Sequence, residues 1–146
     1  MTEREFRAAI VTEALTWIGT PYKLCGCITG VGVNCAQLLF GVAKGAGIIP
    51  QTCPTPRWYT PQLATHSRDE RLMRYFAAYG AREVNEPQDG DIVLFKTGLA
   101  HGHAAIVTAW PEIVHCLPPH GCQLGRVDEG RLAQFKRRYF TLWRSD

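Results

Sequence analysis

Asp91-Ile92-Val93-Leu94-Phe95, His103-Ala104-Ala105-Ile106-Val107 and Glu112-Ile113-Val114-His115-Cys116 follow one another closely in the second half of the chain, and their reading decides the fold. Each is a short apolar run, rich in valine, isoleucine and alanine and bounded by turn-forming residues, which is the pattern of a strand. The spacing predicts strands over 91–95, 103–109, 112–116, 123–127 and 138–143. The preceding half reads differently. Phe6, Ile10, Ala14 and Trp17/Ile18 recur at helical spacing over 3–18, with Thr2 as N-cap and Gly19-Thr20-Pro21 as the stop.

A glycine-rich loop is expected over 22–34. A second helix follows from Cys35 to about 46, with Leu38, Leu39 and Val42 on one face. Residues 49–65 hold Pro50, Pro54, Pro56 and Pro61 and read as an ordered surface loop that buries Trp58 and Tyr59. A third helix is expected over 68–79, with Leu72, Tyr75, Phe76 and Tyr79 on one face. Helices followed by a run of strands indicate an α+β fold with an antiparallel sheet.

The 146 residues fit one domain spanning 1–146. With 46% apolar and 20% charged residues, the composition is that of an ordinary globular chain. A net charge of +3, with a cluster only at Lys136, Arg137 and Arg138, shows no basic stripe for nucleic acid. No apolar run approaches the roughly 18 residues of a membrane helix, and the N-terminal residues lack the signature of a secretory signal. Synthesis in the cytoplasm is expected, and the six cysteines are expected to be reduced thiols there.

Cys35 opens a helix directly after a glycine-rich loop, with Asn34 as a capping residue. Helix N-termini carry partial positive charge, which is expected to favour the thiolate and lower its pKa. Their free N–H groups can also meet a developing oxyanion. A thiol nucleophile needs a base, and the base needs an orienting group. His103 and His115 lie on strands joined by a short turn; a turn centred on Ala109 sets them directly opposite each other, on one face. One imidazole then holds the other in its working tautomer. His101 shares the parity of His103 but precedes Gly102, whereas His66 and His120 sit in polar or proline-flanked loops.

These residues resemble the NlpC/P60 peptidases. Trp17-Ile18-Gly19-Thr20-Pro21-Tyr22 is similar to the Gly-Thr-Pro-Tyr turn before that family's nucleophile loop. Asn34-Cys35-Ala36 stands where the family has Asp-Cys-Ser or Asp-Cys-Ala. Gly90-Asp91-Ile92-Val93-Leu94-Phe95, His103-Ala104-Ala105-Ile106-Val107 and Ile113-Val114-His115 resemble its Gly-Asp-Leu-Val-Phe-Phe, His-Val-Gly-Ile-Val and Phe-Ile-His strands. The nearest variety is that of phage cell-wall peptidases.

The resemblance implies a papain-like α+β fold with Cys35 as nucleophile, His103 as base and His115 as third residue. Tyr22, Asn34 and Gln37 fall at oxyanion or substrate positions. It implies a peptidoglycan stem peptide as substrate, cut next to D-glutamate, with no cofactor and no metal. It also implies delivery to the cell wall by a phage-type particle or other carrier, with phage tail proteins as partners. Asn34 replaces the usual aspartate and Gln37 a usual glycine; Gln37 brings a bulky side chain one helical turn into the site, and Cys25 and Cys27 stand where small or polar residues are common.

Other readings stay open. Cys25-x-Cys27 with Cys35 and His101-x-His103 offers zinc ligands, at a spacing that matches no common zinc module. A domain of this type without catalysis would serve as a structural or binding component of a phage tail-type particle. The same Cys–His machinery would also serve acyl transfer or hydrolysis of another amide.

Overall fold

The computed structural model of the chain describes residues 1–24, 26–54 and 61–145, with side chains from 64 onward in the last stretch. Helix α1 (Glu3–Thr16) begins with a reciprocal cap: Glu5 N–H donates to Thr2 Oγ1, and Thr2 N–H donates to the Glu5 carboxylate. Phe6, Ile10 and Ala14 face the core, and Trp17 closes the helix. Trp17 lies against Gly41, where an added Cβ would come within 2.6 Å of the indole. That absence of a side chain lets α1 pack closely on α2 (Cys35–Gly45).

Helix α2 is buried at every position from Cys35 to Ala43, so it is the central element rather than a one-faced surface helix. The loop expected over 22–34 contains a minimal hairpin, β1 (Cys27–Ile28) with β2 (Gly32–Val33), too short to show a periodic pattern. A short helix α3 (Pro61–His66) stands where a loop was expected; Trp58 and Tyr59 lie outside the described residues. Helix α4 (Arg71–Ala78) starts later than 68. Glu70 turns its carboxylate to His101 and leaves the helix end without a side-chain cap.

The sheet has six antiparallel strands in the order β3-β8-β4-β5-β6-β7. These are β3 (Arg82–Val84), β4 (Ile92–Lys96), β5 (His101–Ala109), β6 (Glu112–Leu117), β7 (Gly121–Arg126) and β8 (Arg137–Thr141). Strand β3 is a largely exposed edge without apolar alternation, which is why its sequence is silent. Ile92, Leu94, Ala104, Ile106, Val114 and Cys116 face the helices. Val93, Phe95, Ala105, Val107 and Ile113 form a smaller second core with Val127 on the other face. Burial on both faces explains the unbroken apolar runs of β4 to β6. Among the described residues no helix is long and apolar enough to cross a membrane.

The expected register of β5 on β6 is corrected. Ala105, not His103, faces His115, and a bulge at Thr108 separates the Val107–Ile113 pair from Ala109–Glu112. The turn therefore centres one residue beyond Ala109. A whole-residue shift of the centre moves each partner by two positions and keeps every side chain on its face. His103 and His115 become diagonal neighbours on the same side.

Arg7 on α1 fixes the start of β4. Its guanidinium donates to Asp91 Oδ1 at 2.7 Å and to Asp89 O at 3.0 Å. The other Asp91 oxygen accepts Gln88 N–H at 2.8 Å. The Asp91 side chain is 2% exposed, and its loss leaves the Arg7 guanidinium to the half-exposed Glu3 and takes the acceptor from Gln88 N–H. Asp91→Ala should destabilise the domain by about 2 kcal/mol, read from urea unfolding midpoints; a loss within about 0.5 kcal/mol would show the pair to be dispensable.

Candidate active site

The site begins with a parting of strands. Val107 N–H donates to Asp91 O and its carbonyl accepts Gly90 N–H, so the backbone groups of Val107 point toward β4. By alternation along β5, those of Ile106, Ala104 and Gly102 point the other way, toward β6. The β5–β6 ladder ends at Ala105–His115. Beyond it, the Cys35 thiol takes the place of a strand partner: it lies 3.9 Å from Gly102 O and accepts a hydrogen bond from Ala104 N–H. Cys35 comes from the helix side of the sheet and His103 projects from the opposite face, paired with Phe95. The opening between β5 and β6 is what lets both line one cleft.

His103 is clamped. Its ring stacks on Phe95 with centroids 5.7 Å apart and meets the His115 ring edge-on at 5.2 Å. His103 Nε2 lies 3.0 Å from His115 Nδ1. For His103 Nδ1 to accept a thiol proton, Nε2–H must donate to His115, which then carries its own proton on Nε2. That nitrogen lies over Gly125, where an added Cβ would stand 2.7 Å away. Gly125 is thus a positioning residue that sequence reading passed over; its signal, a glycine inside strand β7, marks a close approach.

Electrostatically the pair is neutral at rest. Burial pushes the Cys35 thiol up to about 12, and the N–H groups of Ala104, Ala36 and Cys35 offset only part of that rise. The expectation of a lowered thiol pKa at the helix end is therefore corrected: loss of water outweighs the helix terminus. Burial takes His103 down to about 3, with the neighbouring His115 adding to the shift. Burial alone brings His115 to about 4.

The other expected residues divide. Tyr22 lines the cleft, and its segment is stitched to β2 through Val33 N–H to Pro21 O and Lys23 N–H to Val33 O, both 3.0 Å. Asn34 and Gln37 are buried beneath the cleft rather than in its wall. Asn34 Oδ1 caps α2 through Gln37 N–H at 2.7 Å, and its amide donates to Leu24 O. His101 is held away from Cys35 by Glu70, 2.7 Å from its Nδ1. His66 is exposed on α3, and His120 stands exposed at the cleft rim. Cys25 lies outside the described residues, and among those described no three metal-ligating side chains converge.

The cleft has a volume of about 730 Å³. Beyond Cys35, His103 and Tyr22, its wall includes Cys116, Gln123, Arg131 and Phe135. No protein-family model and no characterised relative matches the sequence. Solved structures do. The NlpC/p60 domain of the peptidoglycan hydrolase SagA superposes with a TM-score of 0.60 at 22% identity, over 90% of this chain and 96% of that one. The fold is that of NlpC/P60 domains. A lipoprotein-like NLP/P60 protein of Staphylococcus aureus gives 0.62 at 21% identity, over 94% of this chain and 42% of its own length. RipD of Mycobacterium tuberculosis, a non-catalytic NlpC/p60 domain protein adapted to peptidoglycan binding, gives 0.59 at 14% identity, over 94% of this chain and 98% of that one. The expected α+β architecture matches this NlpC/P60 fold.

The neutral histidines give the domain a signed pH response. In the unfolded chain each imidazole titrates near 6.5, but in the NlpC/P60 fold they resist protonation until about 4 and about 3. Between those values the unfolded state binds more protons, so their contribution to stability is full above about pH 6.5 and is lost as pH falls through the folded values. The urea midpoint of the wild-type chain should drop between about pH 7 and about pH 4, more steeply than that of His103→Gln/His115→Gln. Equal slopes would show that the imidazoles are not held neutral.

Proposed function

We propose that the chain is a cysteine peptidase that cleaves peptidoglycan stem peptides next to D-glutamate, with Cys35 as nucleophile, His103 as base and His115 as the residue that orients it. One observation carries this reading: the Cys35 thiol sits against the β5 backbone on both sides of His103, whose far ring nitrogen is engaged by His115. The neighbouring SagA domain belongs to a peptidoglycan hydrolase, which supports the substrate class. The described cleft wall carries Arg131 and His120 and no acidic side chain, which suits a peptide bearing carboxylates.

Because thiol and imidazole are both neutral at rest, proton transfer to His103 Nδ1 accompanies attack on the carbonyl rather than preceding it. The Cys35 N–H and the Tyr22 hydroxyl take the oxyanion. The imidazolium then protonates the leaving amine, a thioester remains on Cys35, and water activated by His103 releases the acyl group. No cofactor enters. The likeness of Trp17-Ile18-Gly19-Thr20-Pro21-Tyr22 to phage cell-wall peptidases supports cytoplasmic synthesis and delivery by a phage tail-type particle, with tail proteins as partners.

A second reading, peptidoglycan binding without cleavage, is favoured by the high pKa of the Cys35 thiol and by the fold shared with RipD. Mass analysis of defined muropeptides separates the two. Wild-type chain should yield two fragments split beside D-glutamate, and Cys35→Ala none, while far-ultraviolet circular dichroism stays native. Intact muropeptide retained by wild-type chain would instead establish binding alone. His115→Ala should slow cleavage by a factor on the order of 10² by freeing the His103 ring. Gly125→Ala should lower kcat about tenfold with little change in KM, because it displaces His115 and not the substrate; an unchanged kcat would remove Gly125 from the site.

A further inference from the structure

Cys116 on β6 and Cys122 on β7 are directly opposed, and the reaction above uses neither. Cys122 N–H donates to Thr20 O at 2.8 Å and its carbonyl accepts Gly19 N–H at 2.9 Å, so both its backbone groups point away from β6. Cys116 shares the parity of Val114, which pairs with Ile106, so its own backbone groups point toward β5. The two cysteines therefore form a non-hydrogen-bonded pair, in which opposed Cα atoms stand about 4.5 Å apart. That separation falls within the roughly 4.4–6.8 Å span of disulfides.

The side chains meet the same condition. The two thiols are in hydrogen-bond contact with each other, and Cys116 Sγ also lies 3.3 Å from Val33 O. Both cysteines are buried, and of the two only Cys116 borders the cleft that holds Cys35. We propose that Cys116 and Cys122 form a redox-active dithiol, which a low-molecular-weight disulfide entering the cleft converts into a cross-strand bridge.

The exchange balances in two steps. Cys116 Sγ attacks one sulfur of the oxidant, forms a mixed disulfide and expels the first thiolate, which takes the Cys116 proton. Cys122 Sγ then attacks Cys116 Sγ, forms the protein S–S bond and expels the second thiolate, which takes the Cys122 proton. The protein gives up two electrons and the oxidant becomes two thiols. Contact between the thiols lowers the pKa of Cys122, which suits the resolving role, while the same contact and burial raise that of Cys116, so its proton leaves with the expelled thiolate as the first bond forms. The bridge fastens β6, which carries His115, to the strand that holds the Gly19–Thr20 turn.

Glutathione disulfide is the probe. The folded chain is incubated with it, free thiols are alkylated, and the protein is digested with trypsin; peptide 97–126 carries Cys116 and Cys122 and no other cysteine. The expected peptide is lighter by about 2 Da, two hydrogen atoms, and carries no alkyl group. Cys122→Ser should instead hold glutathione on Cys116, while Cys116→Ser should leave Cys122 unmodified. The same bridge should form with Cys35→Ser, so the result stands apart from the peptidase reading. Two alkyl groups on the wild-type peptide, a lasting glutathione adduct there, or a link from Cys116 to Cys35 would overturn the proposal.

Discussion

The parting of β5 from β6 beyond the Ala105–His115 pair is the feature on which the site depends. A continuous ladder would separate the two sides of the sheet, with α2 and Cys35 on one and His103 on the other. Where the ladder stops, backbone groups of Gly102 and Ala104 are turned toward the opening, and the Cys35 thiol engages them. A buried backbone donor or acceptor without a partner is costly, so the thiol has a structural task that also fixes its place in the cleft wall with His103.

The same enclosure decides the electrostatics. A helix terminus contributes about half an elementary charge, but a fully enclosed thiol loses its hydration, and that loss dominates at Cys35. The two imidazoles obey the same rule with opposite sign, so the cleft holds neutral groups linked by hydrogen bonds. Such an arrangement is compatible with a dry fold.

Support for the cleft comes from places remote in the chain. Arg7 and Asp91 tie α1 to the start of β4, and Gly90 passes that restraint on to Val107 of β5. The turn from Gly19 to Tyr22 is bonded on one side to Cys122 of β7 and on the other to Val33, two residues before Cys35. Phe95 and Gly125 then leave His103 and His115 little room to rotate.

Local sequence determined the helix around Cys35, its Asn34 cap, the strands that carry His103 and His115, and the α+β class, because caps, helical spacing and apolar runs act over a few residues. It could not reveal the two-residue hairpin, the polar edge strand at Arg82–Val84 or the short helix at Pro61–His66, which are too short, or in the edge strand too exposed, to leave a pattern. Register escaped it too: with the bulge at Thr108 in place the turn centres one residue beyond Ala109, the pairing lies two positions from the expected one, and only because that number is even do both histidines stay on one face. What tertiary structure alone decided was how tightly the site is enclosed, and hence that Cys35 rests as a thiol, because hydration is lost to neighbours drawn from α2, β5 and β6 together.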